Sequence, residues 1–187
     1  MVKSREKFIS TTILSVRRDG EAAIGGDGQV TQGSMVFKYG AKKIRSLANG
    51  KVKIGFAGST GDAIALMELF EKKLGEFHND IVRAAIELAK EWRVERSMRR
   101  LQSSLIVVDK EKSLLLGGEG DVFESDDGVL AVGSGGGFAT AAARALLAHS
   151  KLSALEIVRN ALEITADLCV YTNHNLVVET VGAAPGK

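Results

Sequence analysis

Thr11-Thr-Ile-Leu-Ser-Val-Arg-Arg-Asp-Gly-Glu-Ala-Ala-Ile-Gly-Gly26 is the stretch whose reading decides the fold. Ile13 to Arg17 alternates, Arg18-Asp19-Gly20-Glu21 is a polar turn, and Ala22 to Gly26 returns as a partner strand, so the spacing predicts an antiparallel hairpin. The first residue of the stretch carries a chemical implication. A threonine hydroxyl is a poor nucleophile unless a base lies beside it, and cleavage of the Ser10–Thr11 bond would expose such a base, the α-amine of Thr11 itself. Taken alone, Thr-Thr at a strand start expresses β-propensity and nothing more. The rest of the chain has to decide between these readings.

Working outward, Lys42 to Leu47 and Val52 to Ala57 predict a second hairpin, because the intervening Asn49-Gly50 supplies the positive φ angles of a tight turn. Ile64, Leu66, Met67, Leu69 and Phe70 fit a helix over Thr60 to Leu74. A longer helix is expected from about Asp80, with Ile81, Ala85, Leu88 and Trp92 on one face. The second half repeats the order. Ser104 to Asp109 and Ser113 to Gly117 form a hairpin, and Asp121 to Glu124 and Val129 to Val132 add short strands. Phe138 to His149 is an alanine-rich helix, and Ser153 caps another whose Ala154, Ile157, Val158, Ala161, Leu162 and Thr165 share a face. Cys169 to Tyr171 and Leu176 to Val181 read as closing strands. Two runs of strands, each followed by a helix pair, predict an α+β architecture in which two sheets pack face to face with helices outside, a four-layer αββα sandwich.

Composition narrows the function classes. With 187 residues, 45% of them hydrophobic, the chain suits one well-buried domain and not two. Its 25 basic and 23 acidic residues are interspersed for a net charge of +2, so no nucleic-acid footprint and no membrane-binding tail is expected. The single cysteine, Cys169, excludes an internal disulfide and fits a reducing, cytoplasmic compartment. No apolar stretch approaches the roughly 20 residues that span a bilayer. Residues 1–10 are charged and lack the apolar core of a secretory signal, which leaves a disordered terminus or a short propeptide. His78, His149 and His174 are scattered and no His-Glu-x-x-His occurs, so zinc peptidase chemistry is not expected.

Six segments carry a more specific signal: Thr11-Thr-Ile-Leu-Ser-Val-Arg-Arg18, Gly25-Gly-Asp-Gly-Gln-Val-Thr31, Lys42-Lys43, Gly55-Phe-Ala-Gly58, Val132-Gly-Ser-Gly-Gly136 and Cys169-Val-Tyr-Thr-Asn-His174. In order and spacing, from Thr11 to about Val181, they resemble the HslV family, also called ClpQ, the proteasome-like peptidases of a bacterial ATP-dependent protease. The resemblance implies an N-terminal-nucleophile hydrolase domain over residues 11–187 behind a leader or propeptide, residues 1–10. It also implies a homo-dodecamer of two stacked hexameric rings, unfolded protein substrates, and a AAA+ unfoldase, HslU, that carries the ATP; no nucleotide is expected on this chain.

By the same resemblance Thr11 is the nucleophile of a threonine peptidase, its α-amine serving as base near neutral pH. Ser10 is the rival if processing stops one residue earlier. Lys43 matches the catalytic lysine, whose charge favours the deprotonated hydroxyl and amine, while Lys42 reads as a solvated strand residue facing the other way. Asp27 would pair with Lys43 and orient it. Gly58 matches the position whose N–H faces the developing oxyanion, and Ser134 one that orients or relays protons beside the terminal amine. The glycines from Gly133 to Gly137 superficially suggest a phosphate loop, but neither Gly-Lys-Ser/Thr nor a ribose-binding acid follows.

The resemblance further implies a sodium ion bound through oxygens at Ala166, Cys169 and Thr172, with alanine standing at 166 where family members typically have glycine. Trp92, Arg93, Arg96, Arg99 and Arg100 form a basic aromatic cluster that reads as a solvated face or a ring contact, given Glu91 and Glu95 among them. Gly61, at a helix start, stands where the resemblance implies alanine. Two other functions stay open on the residues: a non-catalytic ring subunit that retains its leader, and a small-molecule amidohydrolase of the same nucleophile class.

Overall fold

In the computed structural model, which describes residues 11–94, 103–117 and 120–181, the opening stretch forms the expected hairpin. Strand β1 (Thr12–Arg18) pairs antiparallel with β2 (Glu21–Gly26), Ser15 opposite Ile24. Asp19 at φ 52° and Gly20 at φ 80° are both left-handed, as a two-residue turn that matches the strands' twist requires. Successive β1 side chains point to opposite faces. Leu14 and Val16 therefore enter a core shared with helices, and Ile13 enters one between sheets.

The chain continues through β3 (Val30–Gln32), β4 (Met35–Lys38), β5 (Ile44–Leu47), β6 (Val52–Gly58), α1 (Thr60–Glu76) and α2 (Ile81–Val94). Then follow β7 (Ser103–Val108), β8 (Ser113–Gly117), β9 (Asp121–Glu124), β10 (Val129–Gly133), α3 (Gly136–His149), α4 (Ala154–Leu168) and β11 (Val177–Val181). One sheet runs β10-β1-β2-β11 and the other β5-β6-β7-β8-β9, with β3 and β4 paired apart from both. Ile13, Ile24, Ile106 and Val108 fill the space between the two large sheets. Outside the first, Leu14, Ala139, Ile157 and Leu162 pack α3 and α4 on it; outside the second, Ile54, Phe56, Phe70, Leu88 and Trp92 pack α1 and α2. This is the four-layer αββα sandwich. Each large side chain so buried contributes about 1.5–3 kcal/mol.

Local signals hold the helices in register. Ser153 and Glu156 form a reciprocal capping box at the start of α4, and all six residues of its expected face are buried. Asp80 Oδ1 accepts the N–H groups of Val82 and Arg83, both at 3.0 Å, and so caps α2. Ile81, Ala85, Leu88 and Trp92 are buried on the face expected of them.

Several expectations are corrected. Trp92 lies in the core and not in a surface cluster; Arg93 pairs with Asp121 at 3.8 Å, and Arg96, Arg99 and Arg100 fall outside the described residues. Lys42 and Lys43 precede β5 instead of opening it. The turn after β5 spans Ala48, Asn49 and Gly50, all three at positive φ. Cys169 to Tyr171 is no strand: the Cys169 N–H donates to Thr165 O, and the Thr172 N–H donates to Cys169 O at 2.9 Å, closing a turn that leaves Val170 80% exposed. Strands β3 and β4, three and four residues long around a bulge, had no sequence signal of their own. Among the described residues no helix is long and apolar enough to cross a membrane.

Candidate active site

Where β2 ends, Asp27 turns its carboxylate back toward β1. Oδ1 accepts the Thr12 N–H at 2.8 Å and the Lys43 ammonium at 3.0 Å; Oδ2 accepts the Gln29 N–H at 2.8 Å and the Asn173 N–H at 3.4 Å. Lys43 Nζ also donates to the Gln29 carbonyl. The side chains of Lys43 and Asp27 are 3% and 0% exposed, so this is a buried ion pair, further hydrogen-bonded to main chain at Thr12, Gln29 and Asn173. Burial holds the Lys43 ammonium below the ordinary lysine range, and the attraction of Asp27 opposes that shift without cancelling it.

Thr11 sits one residue before β1 and is 5% exposed. Its carbonyl accepts the Ser134 N–H at 3.0 Å. The turn from β10 into α3 is moulded to this contact. Gly133 has φ 93°, and a Cβ there would stand 1.8 Å from Thr11 O; a Cβ on Gly135 would stand 2.3 Å from Thr12 Oγ1, which instead accepts the Gly135 N–H at 3.1 Å. Close backbone approach is thus the reason for these glycines, in place of the phosphate loop they superficially suggest. Ser134 meets Thr11 through its main chain, and the residue is exposed.

Thr11, Lys43 and Gly58 line one cleft of about 600 Å³. Gly58 closes β6 at φ 115°, a backbone region that favours glycine. Asp27 holds Lys43 from within the fold. The structure therefore gathers Thr11, Asp27, Lys43 and Gly58 at one place and sets Ser134 against Thr11 by its N–H.

The segment between α4 and β11 is stitched to the same place. Thr172 Oγ1 lies 2.7 Å from Thr12 Oγ1, and Val170 O accepts from Gln29 Nε2 at 2.9 Å. Asn173 Oδ1 accepts the Gly28 N–H at 3.2 Å, and its Nδ2 donates to Tyr39 O at 2.9 Å. His174 ties the segment to α4 through Glu163 at 2.6 Å and Asp167 at 3.3 Å. Thr12, Gln29 and Asn173 are site residues to which sequence reasoning gave no role of their own. The available signal was that all three fall inside segments matched to the family.

Ala166, Cys169 and Thr172 gather where α4 ends. Helix C-termini leave carbonyls without intrahelical partners and carry the negative end of the helix dipole. Main-chain oxygens there suit a hard cation such as sodium, and Ala166 lies within helical backbone, a conformation that alanine adopts as readily as glycine. Cys169 would take part by its carbonyl and not its thiol. Among the described residues no group of three or more His, Cys, Asp or Glu could hold a metal ion.

The double-sheet sandwich is the fold of the N-terminal-nucleophile hydrolases. A family described as "Proteasome subunit" matches residues 8–181. The structure is similar to that of eukaryotic HslV from Trypanosoma brucei, with 50% sequence identity, 91% of this chain and 98% of that one covered, and a TM-score of 0.86. The chain belongs to the proteasome subunit family, and within it to the HslV type. Two structures of Thiobacillus denitrificans BPH, one in complex with epoxomicin, share the fold at a TM-score of 0.73 with 18% identity, over 93% and 94% of this chain and the whole of theirs.

Proposed function

We propose that this chain is the peptidase subunit of a two-component ATP-dependent protease, a threonine-type endopeptidase whose nucleophile is Thr11 once residues 1–10 have been removed. The observation that carries the reading is the buried Lys43–Asp27 pair, anchored on the Thr12 N–H, with Lys43 lining the same cleft as Thr11 and Gly58.

In this mechanism Thr11 Oγ attacks the peptide carbonyl and its proton passes to the Thr11 α-amine. The Lys43 charge favours loss of that proton, while Asp27 fixes the direction of the ammonium. The Gly58 N–H faces the oxyanion; one such donor is worth about 10²–10³ in rate. Collapse breaks the C–N bond, and the leaving amine takes the proton from the α-amine. Water then attacks the ester, gives its proton to the α-amine, and releases the acid with Thr11 regenerated. Ser134 orients the terminal amine.

Homo-dodecamers of two stacked hexameric rings enclose the sites in the cytoplasm, and a AAA+ unfoldase, HslU, supplies unfolded chains and holds the nucleotide. Sodium at Ala166, Cys169 and Thr172 would cross-link the end of α4 to the segment that contacts Thr12 and Asp27, a positioning role with no part in bond making. The reading is tested by degradation of an unfolded protein such as casein by the ring with its unfoldase. Turnover is expected in the native sequence and absent in Thr11→Ala; turnover that survives this substitution overturns the proposal.

A further inference from the structure

The cleft that holds Thr11 has walls of two kinds. Phe37, Phe56 and Ile64 supply apolar surface, and Lys38, Lys42 and Arg45 supply positive charge. Among the described residues no aspartate or glutamate lines it. The fourth cation, Lys43, is neutralised from within by Asp27 at 3.0 Å. Lys38, Lys42 and Arg45 are exposed, and no salt bridge among the described residues engages any of them. Some cations elsewhere are matched, as in Lys53 with Glu179, Lys73 with Glu91, Lys112 with Glu124 and Arg144 with Asp127, while Lys51, Lys110, Lys151 and Arg159 also stand outside every salt bridge among the described residues. What sets this cleft apart, in a chain whose net charge is only +2, is that three such cations converge on one concave surface with no described carboxylate among its lining residues.

We propose that this cleft selects polypeptide segments in which an apolar side chain is flanked by an acidic one, the apolar group resting on Phe37, Phe56 and Ile64 and the carboxylate facing Lys38, Lys42 and Arg45. The inference rests on the peptidase reading above and names its substrate preference. A single exposed charge pair contributes little, but three like charges around a concave surface act together and raise the local concentration of an acidic segment. These contacts lie away from the reacting carbonyl and act alike on bound substrate and transition state. They therefore lower KM and leave kcat nearly unchanged.

The test uses the assembled, leader-free ring with its unfoldase and three fluorogenic peptides with leucine at the cleaved bond, differing only in a neighbouring glutamate, glutamine or lysine. The expected order of kcat/KM is Glu, Gln, Lys, with roughly tenfold between the extremes at low salt, which corresponds to about 1.4 kcal/mol. The spread resides in KM and collapses at about 1 M salt, where the screening length falls to about 3 Å. Lys42→Gln and Arg45→Gln each shrink the Glu-to-Lys ratio. Fluorescence anisotropy of the same peptides on the Thr11→Ala ring gives the same order without hydrolysis. Cleavage of all three peptides at equal rates, a preference for lysine, or an order indifferent to salt overturns charge selection and leaves the peptidase reading intact. Acid-selective binding without any cleavage sinks the peptidase reading and supports charge selection.

Discussion

Asp27 joins Lys43 to the head of β1 through a single oxygen: Oδ1 accepts the Thr12 N–H at 2.8 Å and the Lys43 ammonium at 3.0 Å. The strand that presents Thr11 and the charge proposed to act on it thus share one buried anchor. Removing one member of such a unit strands a charge in the interior, which costs about 3–5 kcal/mol, whereas removing both costs far less. Denaturant unfolding should show Lys43→Met strongly destabilised and Lys43→Met with Asp27→Asn markedly less so than the sum of the single changes. Strict additivity would mean that the two groups do not act as a unit.

The same pair sets a pH dependence. Burial lowers the folded pKa of Lys43 below the ordinary lysine value of 10.5, so between those two values the unfolded chain binds more protons than the folded one. Stability from this group therefore rises as pH increases through that alkaline window and is lost as pH falls back through it. Comparison of unfolding free energies across the window should show this upward contribution in the native sequence and its absence in Lys43→Met. Identical slopes for the two proteins would remove Lys43 as the source.

Glycines at two positions should answer oppositely to alanine. Gly133, at φ 93° with Thr11 O only 1.8 Å from a built Cβ, cannot accept a methyl group without displacing Thr11. Gly133→Ala should cut kcat about 10²-fold, the scale of a 1 Å misplacement of a reacting group. A Cβ on Gly61, in the first turn of α1, would meet nothing within 4 Å. Gly61→Ala should stabilise the fold by about 0.5–1 kcal/mol, read as a higher Tm with activity retained.

Asn173 holds the segment after α4 against the site, through Gly28 and Tyr39. Asn173→Ala removes its bonds to the Gly28 N–H and the Tyr39 carbonyl and should cost about 0.5–1.5 kcal/mol. Because the lost contacts hold Gly28, the residue after Asp27, and Tyr39, and not substrate, kcat should fall while KM holds. A change confined to KM would place Asn173 in substrate binding instead.

What the chain discloses without coordinates divides along physical lines. The β1–β2 hairpin, the capped α4 and the apolar face of α2 were readable because their signals are local: a polar turn, a capping box and a helical period. Cys169 to Tyr171 misled for a related reason. Its short alternating apolar run resembles a strand, while the bonds that make it a turn come from Thr165 and Thr172 on either side. Trp92 carried two readings, the apolar face of α2 and a basic cluster with several arginines, and its packing in the core with α1 and the second sheet bears out the first. The pairing of Asp27 with Lys43 was anticipated through family resemblance. The bond from the Gly28 N–H to Asn173 spans 145 residues of sequence and no local pattern encodes it.

The most direct test of the threonine mechanism is the intact mass of the purified chain before and after a peptide epoxyketone, which needs both a hydroxyl and a free α-amine to close its ring adduct. The account predicts a chain that begins at Thr11 and gains one inhibitor mass, with no gain in Thr11→Ala. A chain beginning at Thr11 that forms no adduct even with its unfoldase present, or a ring that keeps residues 1–10 when assembled and active, would contradict it.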